Sequence, residues 1–437
     1  MIMLNKKEFF VINGLANKKT LKGSVRINGA KNAVLKALAS TILFRDDITL
    51  KNVPDIEDVG RMIDLLSSLG CNISKKKTGV FVCKYCKKIS HILNPEISSK
   101  LRASIVVAGP LLARLGKVSF PHPGGCVIGE RPIDLFIDGF KKMGAKVQLK
   151  RSMYTLTAQN GKLKGADIFF RTQSVTGTET FMMAGVLAEG KTIIKNAALE
   201  PEIKHLADFL NLCGAKIKGA GTSTIEITGG KLLTSGNNKY TTPPDRIEAG
   251  SFIILGALAA SDIKITNCDT SGLESLLEIL KASGLSFKTT KSTLHIFNNK
   301  KDNSNFKNID RIKTHEYPGF PTDLQAPMVI FLTQASGECL MFETIFEGRL
   351  NYTEELVRMG ADIKEMDPHR IIVSGHKSLR GKELASPDLR AGLAYVIAAI
   401  IADGRSIIHN IYNIDRGYQH IEKRLRDLGV DIKRVSE

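Results

Sequence analysis

The sequence has no tryptophan, and aromatic residues make up only 6% of its 437 positions. Basic runs such as residues 75–77 are not interleaved with the aromatic side chains on which single-stranded nucleic acids stack. The net charge of +18 by itself permits nucleic acid, a membrane surface or anionic small molecules as partners. The scarcity of aromatic residues weakens the first of these interpretations.

Long apolar segments are lacking as well. The longest runs, such as residues 391–402, fall short of the roughly 18 to 20 apolar residues that a membrane-spanning helix needs. Residues 1–15 interleave charged and apolar side chains, so they lack the apolar core of a signal peptide. We therefore expect a cytoplasmic protein without membrane insertion.

The seven cysteines are odd in number and scattered, which is not the pattern of a disulfide framework. We expect free thiols in a reducing compartment. Cys83 and Cys86 form a CxxC pair, but no second pair follows at zinc spacing. Because metal-spaced carboxylate pairs, a dinucleotide-binding motif and a Walker motif are also missing, we expect no metal and no organic cofactor.

One segment recurs six times, about every 70 residues: an amphipathic helix that ends at a glycine and is followed by a short strand. A glycine just past a helix adopts the left-handed backbone conformation at little cost. The length of the chain favours two or more domains. The glycines of the six copies are Gly70, Gly144, Gly214, Gly284, Gly360 and Gly429.

Each copy also contains an earlier helix that is apolar nearly all round, such as TFMMAGVLAEG or LAYVIAAIIADG. A helix of this kind must be buried, so the repeat predicts an α/β fold of βαβαββ-type units in which helices and sheets share a core. A short polar loop precedes each buried helix and brings charged residues to its N-terminus. The dipole and the unpaired N–H groups there attract anions, so several such ends would form an anion site if they converged.

Seven motifs stand in order along the chain: GAKNAVL at 29–35, LRAS at 101–104, PGGCVIGERPIDL at 123–135, EPEI at 200–203, FPTDLQA at 320–326, PDLRAG at 387–392 and IDRGY at 414–418. In these motifs the chain resembles the enolpyruvyl transferase family over nearly its whole length. The resemblance implies two domains, each an inside-out α/β barrel of three repeats, with the active site in the cleft between them. It places the first domain at 21–242 and the second at 1–20 plus 243–437.

The resemblance also implies a reaction. The enolpyruvyl group of phosphoenolpyruvate would move to the 3′-hydroxyl of UDP-N-acetylglucosamine, and phosphate would leave through a tetrahedral intermediate, the step that opens peptidoglycan precursor synthesis. These two small molecules are the partners implied; nucleic acid and an obligate protein partner are not. Two alternatives stay open: transfer to shikimate 3-phosphate, and a catalytically silent repeat protein that binds an anionic polymer. The PGGC segment argues against the first alternative.

Such a reaction needs an acid, a base and groups that stabilise anions. By the resemblance, Cys126 on its glycine-rich segment would donate the proton to C3, and Asp323 would take the proton from the hydroxyl. Lys31 and Arg416 would complete the catalytic set. A lone cysteine is more often a small buried hydrophobe, and an aspartate before a helix is more often a cap. For Asp323 we predict both capping and catalysis.

Phosphoenolpyruvate carries a phosphate and a carboxylate, which the planar fork of arginine binds well. Arg102 would face the pyrophosphate of the nucleotide sugar. Two residues depart from the family pattern: Phe136 stands where many relatives carry a histidine, and Thr172 stands where some carry a lysine. The implied phosphoenolpyruvate site comprises Lys31, Asn32, Arg131, Arg416, Asp388 and Arg390, and the implied nucleotide-sugar site comprises Arg102, Arg131, Pro132, Ile133, Asp134, Leu135, Ser174, Val175, Thr176, Asp323 and the backbone of Ile345.

Overall fold

Two separate hydrophobic cores organise the chain, one in each of two units. The computed structural model describes residues 8–124, 132–297 and 306–436. Unit 1 contains the described residues up to Asn28 and those from Pro244 onward, and unit 2 contains the described residues from Gly29 to Pro243. The chain therefore passes from unit 1 to unit 2 and back again.

The helices alternate between buried and surface positions along the chain. Short 3₁₀ segments span Thr41–Leu43 (η1), Arg102–Val107 (η2), Gln159–Gly161 (η3) and Thr322–Leu324 (η4). The α-helices are α1 Lys31–Ser40, α2 Glu57–Ser68, α3 Pro95–Ser98, α4 Ala108–Leu115, α5 Asp134–Lys142, α6 Val175–Leu187, α7 Pro201–Leu212, α8 Arg246–Ala259, α9 Glu274–Ala282, α10 Gln325–Gln334, α11 Thr353–Arg358, α12 Leu389–Ile401, α13 Tyr412–Asp415 and α14 Ile421–Asp427.

The strands are short, and each contributes to one of six small sheets. They are β1 Glu8–Asn13, β2 Leu21–Arg26, β3 Ile48–Lys51, β4 Ile73–Lys77, β5 Val80–Cys83, β6 Lys117–Pro121, β7 Ala145–Lys150, β8 Met153–Ala158, β9 Asp167–Phe169, β10 Lys191–Lys195, β11 Ile217–Lys218, β12 Thr224–Thr228, β13 Lys239–Thr241, β14 Ala260–Thr266, β15 Phe287–Thr289, β16 Thr293–Phe297, β17 Arg311–Lys313, β18 Gly337–Phe342, β19 Asp362–Asp367, β20 Arg370–Gly375, β21 Glu383–Ala385, β22 Arg405–His409 and β23 Asp431–Ser436.

All six sheets follow one plan. Unit 1 has the orders β2-β14-β16-β15, β17-β18-β20-β19 and β21-β22-β1-β23, and unit 2 has β13-β3-β5-β4, β9-β10-β12-β11 and β6-β8-β7. In every four-stranded sheet one outer strand is parallel to its neighbour and the other pairings are antiparallel. In the three-stranded sheet a single parallel bridge from Ile92 to Ser119 stands where the others have a full strand. Three repeats in each unit confirm the predicted βαβαββ architecture.

The pairing of β2 decides where the chain changes units. β2 runs parallel to β14, and its residues Leu21 and Val25 belong to the core of unit 1. The change of unit therefore falls at Asn28–Gly29, whereas the sequence placed the first domain from residue 21 onward. The return falls at Pro243–Pro244, next to the expected residue 243.

The helix that is apolar all round lies in the middle of every repeat. α1, α4, α6, α8, α10 and α12 are these helices, and every residue of α10 and α12 is buried. Within unit 1, α10 contacts both α8 and α12, and within unit 2, α6 contacts α4. Each unit thus shields its apolar helices with its own sheets and surface helices, as the burial argument predicts.

The six repeat glycines all have a positive φ, between 85° and 105°. Each follows the surface helix of its repeat, where the chain turns from the helix into a strand. A side chain with a Cβ is strained in this conformation, so the predicted role of these glycines as helix terminators is confirmed.

The expectation of free thiols is wrong for one pair of cysteines. Cys71 and Cys86 form a disulfide with a Cα–Cα distance of 5.1 Å. They meet because Cys71 follows the terminal glycine of α2, whereas Cys86 follows β5, which returns antiparallel to β4. The remaining cysteines of the described regions are Cys83, Cys213, Cys268 and Cys339, all of them buried and free.

Among the helices of the described regions, none has the length and apolar character needed to span a membrane.

Two glycines of unit 2 provide a stability test of the repeat. A Cβ at Gly214 or at Gly60 would meet no atom within 4 Å, but Gly214 has a φ of 102° and Gly60 lies inside α2. We expect Gly214→Ala to lower the free energy of unfolding by about 1–2 kcal/mol because of backbone strain. Gly60→Ala should raise it by about 0.5–1 kcal/mol because alanine favours the helix. Chemical denaturation of both variants measures the difference, and equal effects would contradict the assigned role of Gly214.

Candidate active site

The polar starts of the buried helices meet within unit 1. Asp245 caps α8 by accepting from the backbone N–H groups of Ile247 and Glu248, at 2.9 and 3.1 Å. Asp388 caps α12 in the same way, at 2.7 Å to the N–H of Arg390. The segment η4 precedes α10, and α8 contacts it. The convergence that the sequence left open is therefore present in this unit.

The carboxylate of Asp323 is held between two arginines. Arg349 donates from Nη2 to Oδ1 at 2.9 Å, and Arg390 donates from Nη2 to Oδ2 at 2.8 Å. The arginine side chains are only 4% and 6% exposed, whereas 27% of the Asp323 side chain is exposed. The aspartate therefore stands at the accessible side of a buried cationic pair.

Electrostatics keep Asp323 ionised. Burial by itself would raise its pKa, but the charges and hydrogen bonds of Arg390 and Arg349 outweigh burial and hold the pKa well below the usual range. Burial would lower the pKa of Arg390, but the charge of Asp323 outweighs that effect and raises it. Both groups are therefore charged at neutral pH.

The predicted capping role of Asp323 is wrong. No side-chain cap hydrogen bond is present at the start of η4 or of α10, and both oxygens of Asp323 face guanidinium groups instead. The 3₁₀ turn places Asp323 inside the first turn, where its side chain points to Arg349 and Arg390 rather than back to the helix start. The carboxylate is thus available for chemistry without a structural role in the helix.

Glu343 links the Asp323 turn to the turn that contains Ile345. It is fully buried, and its Oε2 accepts from the hydroxyl of Thr322 at 2.8 Å. Its Oε1 accepts from the backbone N–H of Ile345 at 2.8 Å and of Phe346 at 3.2 Å. The N–H of Ile345 is therefore used within the protein, and its backbone position is set relative to Asp323.

Arg416 directly follows α13, a short helix that packs against the first turns of α12. Arg416 is buried. A Cβ at Gly392, in the first turns of α12, would lie 2.8 Å from Ile414 of α13, so the two helices are in close contact there. Asn413 also donates to the carbonyl of Ser386 at 2.9 Å. Asp323, Asp388, Arg390, Ile345 and Arg416 all belong to unit 1.

In unit 2 the start of α1 carries an ion pair. Lys31 is the first residue of α1, and its Nζ lies 2.7 Å from Oδ2 of Asp58 in the first turn of α2. The two side chains are 11% and 3% exposed. Asn32 follows at the second position and is partly exposed. Asp58 thus orients the ammonium group at a helix N-terminus.

Arg102 anchors the approach to the glycine-rich segment. It opens η2, which contacts both α1 and α6, and it donates to the carbonyl of Pro123 at 3.2 Å. The next residue, Gly124, donates from its N–H to the carbonyl of Ser98 at 3.2 Å. Cys126 and Arg131 lie outside the described residues.

The starts of α5 and α6 are in contact. Ser174 caps α6 by accepting from the N–H of Gly177 at 3.0 Å. A Cβ at Gly177 would lie 2.6 Å from Leu135, which belongs to the first turn of α5. The structure therefore brings together the segments 132–135 and 174–176. Phe136 is buried, with its ring 6.3 Å from that of Phe181.

Sequence reasoning missed the residues that hold the predicted ones in place. Asp58, Glu343, Arg349 and Tyr418 had no assigned role, although Tyr418 stands in the IDRGY motif and accepts a hydrogen bond from Arg390 at 2.8 Å. The only signal for Arg349 was its place four residues after Ile345. Pairings between residues far apart in sequence decide these roles, so spacing could not reveal them.

The described thiols are poor nucleophiles. Burial raises the pKa of Cys83 and Cys339 to about 12 and that of Cys213 and Cys268 to about 11. In the part of the chain that the structure describes, no group of three or more His, Cys, Asp or Glu side chains could hold a metal ion. The charged groups of both units, arginines, a lysine and helix N-termini, are the kind that bind phosphates and carboxylates.

Comparison with known families gives full-length matches. The family model of EPSP synthase (3-phosphoshikimate 1-carboxyvinyltransferase) matches residues 15–425. A UDP-N-acetylglucosamine 1-carboxyvinyltransferase of Koribacter versatilis is 42% identical over 98% of this chain and 96% of its own length. Another protein of that name, from Caldanaerobacter subterraneus, is 43% identical over 95% of this chain and 97% of its own.

Solved structures show the same fold at lower identity. The enolpyruvyl transferase NikO from Streptomyces tendae superposes with a TM-score of 0.85 at 21% identity, over 99% of this chain and all of NikO. An EPSP synthase from Acinetobacter baumannii gives 0.74 at 18% identity, over 98% of this chain and all of its own. At these identities the likeness concerns the fold alone.

The arginine pair around Asp323 predicts a pH dependence. The pKa of Asp323 is lower in the folded than in the unfolded protein. The stability that ionised Asp323 contributes is therefore complete above its unfolded pKa of about 3.8 and is lost as the pH falls below that value. We expect Asp323→Asn to lower the free energy of unfolding by roughly 2–4 kcal/mol at pH 7, because two buried arginines lose their counter-charge. Urea unfolding at pH 7 and at pH 3 measures the effect, and the difference in free energy of unfolding between variant and wild type should be smaller at pH 3.

Asp367 is the matched control for this experiment. It pairs with Arg370 at the surface, where solvent screens the interaction. Asp367→Asn should change stability little at either pH. A gap for Asp323→Asn that is as small as the control's, or that does not vary with pH, would contradict the role given to the two arginines.

Proposed function

The chain belongs to the enolpyruvyl transferase family, and on this premise we propose that it transfers the enolpyruvyl group of phosphoenolpyruvate to the 3′-hydroxyl of UDP-N-acetylglucosamine. Phosphate is released, and the product enters peptidoglycan precursor synthesis in the cytoplasm. The observation that carries the proposal is the full-length similarity, at 42–43% identity, to proteins named for this reaction. The name of the matching family model favours shikimate 3-phosphate as the second candidate acceptor.

We propose that phosphoenolpyruvate is held by the cationic groups that the resemblance indicated. Lys31 and Asn32 stand at the N-terminus of α1, where the ammonium group and the helix dipole both attract an anion. Arg131, Arg390 and Arg416 supply guanidinium groups, which bind phosphate and carboxylate by paired hydrogen bonds. Asp388 supports this set because its cap sets the start of α12, which carries Arg390.

In the proposed nucleotide-sugar site, Arg102 binds the pyrophosphate. The segments 132–135 and 174–176 bind the remainder of the molecule, and their contact through Leu135 and Gly177 supports a common role. The backbone carbonyl of Ile345 accepts from the sugar, since its N–H already donates to Glu343. Asp323 accepts from the 3′-hydroxyl.

The proposed addition step uses Asp323 as the base and Cys126 as the acid. The hydroxyl oxygen forms a bond to C2 of phosphoenolpyruvate as Asp323 takes the hydroxyl proton, and the C2–C3 double bond takes a proton from the thiol of Cys126. In the elimination step C3 gives a proton back to the thiolate of Cys126, the double bond forms again, and the C2–O bond to phosphate breaks as the leaving phosphate takes the proton from Asp323. No oxidant or reductant is needed.

Because of the arginine pair, the strength of Asp323 as a base depends on whether substrate is bound. With Arg349 and Arg390 bound to it, the carboxylate has a lowered pKa and is a weak base. A substrate anion that draws Arg390 toward its own phosphate or carboxylate removes part of this effect. The pKa of Asp323 then rises toward its ordinary value, so the base becomes stronger when phosphoenolpyruvate is bound.

Phosphate release tests the proposed reaction. Purified protein is incubated with phosphoenolpyruvate and UDP-N-acetylglucosamine, with phosphoenolpyruvate and shikimate 3-phosphate, or with phosphoenolpyruvate alone. We expect release only with the nucleotide sugar. Release only with shikimate 3-phosphate would keep the family and overturn the acceptor, and no release in any mixture would refute the proposed activity.

The role of Cys126 is tested by a pair of cysteine variants. Cys126→Ser replaces the thiol by a hydroxyl that holds its proton far more strongly, so we expect turnover to fall by roughly 10²- to 10⁴-fold, the range for loss of a general acid. Cys213→Ala, at a buried thiol outside the proposed site, should keep turnover within about threefold of wild type. Equal activity of the two variants would refute the assignment.

A further inference from the structure

A buried ion pair joins two helices of unit 2 beneath their substrate-binding ends. The Nζ of Lys36 on α1 lies 3.1 Å from Oε2 of Glu179 on α6, and the two side chains are only 7% and 1% exposed. Neither residue belongs to a motif that the sequence singled out for the reaction. Two charged side chains are thus buried in the interior of unit 2, where Glu179 stands between the buried residues Thr178 and Thr180 of α6.

The fold does not require charges at this depth. In unit 1 the buried helices α8, α10 and α12 contain no charged residue beyond the first turn. At the corresponding level these three helices carry apolar residues, glycine and the uncharged Ser251. Because a buried ion pair is often no more stabilising than apolar residues of similar volume, the pair in unit 2 calls for a role other than stability.

The position of the pair suggests what that role is. Lys36 lies five residues after Lys31, and Glu179 lies five residues after Ser174. At about 1.5 Å per residue, the ion pair lies some 7–8 Å below both helix starts. The ion pair therefore links the helix that begins with Lys31 and Asn32 to the helix that begins next to Ser174, while η2 contacts both helices.

We propose that the Lys36–Glu179 pair is a positioning device. It fixes the position of α1 along its axis relative to α6 and thereby the distance between their substrate-binding ends. The two helices both contact η2, and the ion pair adds a direct link between them whose energy in a low-dielectric interior depends steeply on the distance between the charges. The proposal rests on the proposed function for the identity of the substrates.

Because of the groups around Glu179, this residue needs Lys36 to keep its negative charge. The negative charges of Glu202 on α7 and of Glu200 just before it raise the pKa of Glu179. The charge of Glu179 in turn raises the pKa of Tyr240 on β13. Neither carboxylate oxygen of Glu179 has a partner with hydrogen-bond geometry among the described residues, so Lys36 contacts Oε2 as an ion pair. Burial raises the pKa of Glu179 to about 7, with Lys36 acting in the opposite direction. Loss of Lys36 therefore leaves a carboxyl that takes up a proton and no longer holds α1.

Steady-state kinetics of four proteins test the proposal: wild type, Lys36→Met, Glu179→Gln and the reversed pair Lys36→Glu with Glu179→Lys. We expect each single variant to raise the KM for phosphoenolpyruvate and for UDP-N-acetylglucosamine about 10-fold, since the binding groups of both helix ends are misplaced. Turnover at saturation should stay within about threefold, because neither side chain touches the reacting atoms. The reversed pair should bring both KM values back to within about threefold of wild type.

Two further proteins separate positioning from stability. Lys204→Met removes one partner of an exposed ion pair with Asp208 on α7 and should leave both KM values unchanged. The double variant Lys36→Met with Glu179→Met leaves no buried charge and should fold even if a single variant does not. We expect it to unfold at a temperature close to that of wild type and still to show raised KM values.

Hydrogen exchange at the backbone amides of α1 and α6 provides a readout without substrates. Exchange should be faster in Lys36→Met and Glu179→Gln than in wild type and should slow again in the reversed pair. If the wild type releases no phosphate from phosphoenolpyruvate, the proposed function fails while this readout still decides the positioning role. A folded double variant with unchanged KM values, or unchanged exchange in both single variants, would overturn the proposal.

Discussion

Burial of a helix that is apolar on every side is the constraint on which this structure depends. Such a helix cannot lie at the surface of a single repeat, because one sheet and one amphipathic helix cover only part of it. Three repeats per unit solve the problem: in unit 1 the three apolar helices contact one another, and in unit 2 α4 contacts α6 while η2 contacts α1, α4 and α6. The separate cores of the two units follow from the same requirement.

The same constraint also explains where the charges lie. A helix that is buried along its length can expose polar groups only at its ends. The polar loops before α8, α10 and α12 therefore come together, and their charged and polar groups form hydrogen bonds with the helix starts and with one another. Asp323, Arg349 and Arg390 form such a balanced group, with a partly exposed carboxylate between two buried guanidinium groups. In the proposed mechanism an anion binds such a site by exchange of partners, and substrate binding then raises the basicity of Asp323.

Much of the fold could be predicted because its signals are local. The six glycines, the apolar helices and the alternating short strands reflect backbone conformation and burial, which each segment encodes by itself, and all six glycines have the expected positive φ. The errors arose where a local pattern permits two outcomes. Asp323 stands where a cap would stand, but its oxygens bind Arg349 and Arg390, which are distant in sequence. Cys71 and Cys86 were expected as free thiols, but the hairpin of β4 and β5 brings them together.

The sequence by itself determined the repeat, the burial of its central helices, the family and the chemical types of the candidate site residues, because these depend on residue order and on local conformational preference. Only the tertiary structure decided which charges meet. Lys31 with Asp58, Asp323 with Arg349 and Arg390, and Lys36 with Glu179 are each separated by at least 26 residues along the chain. The energy of an ion pair depends on distance and burial in space, and neither quantity can be read from the spacing of residues along the chain.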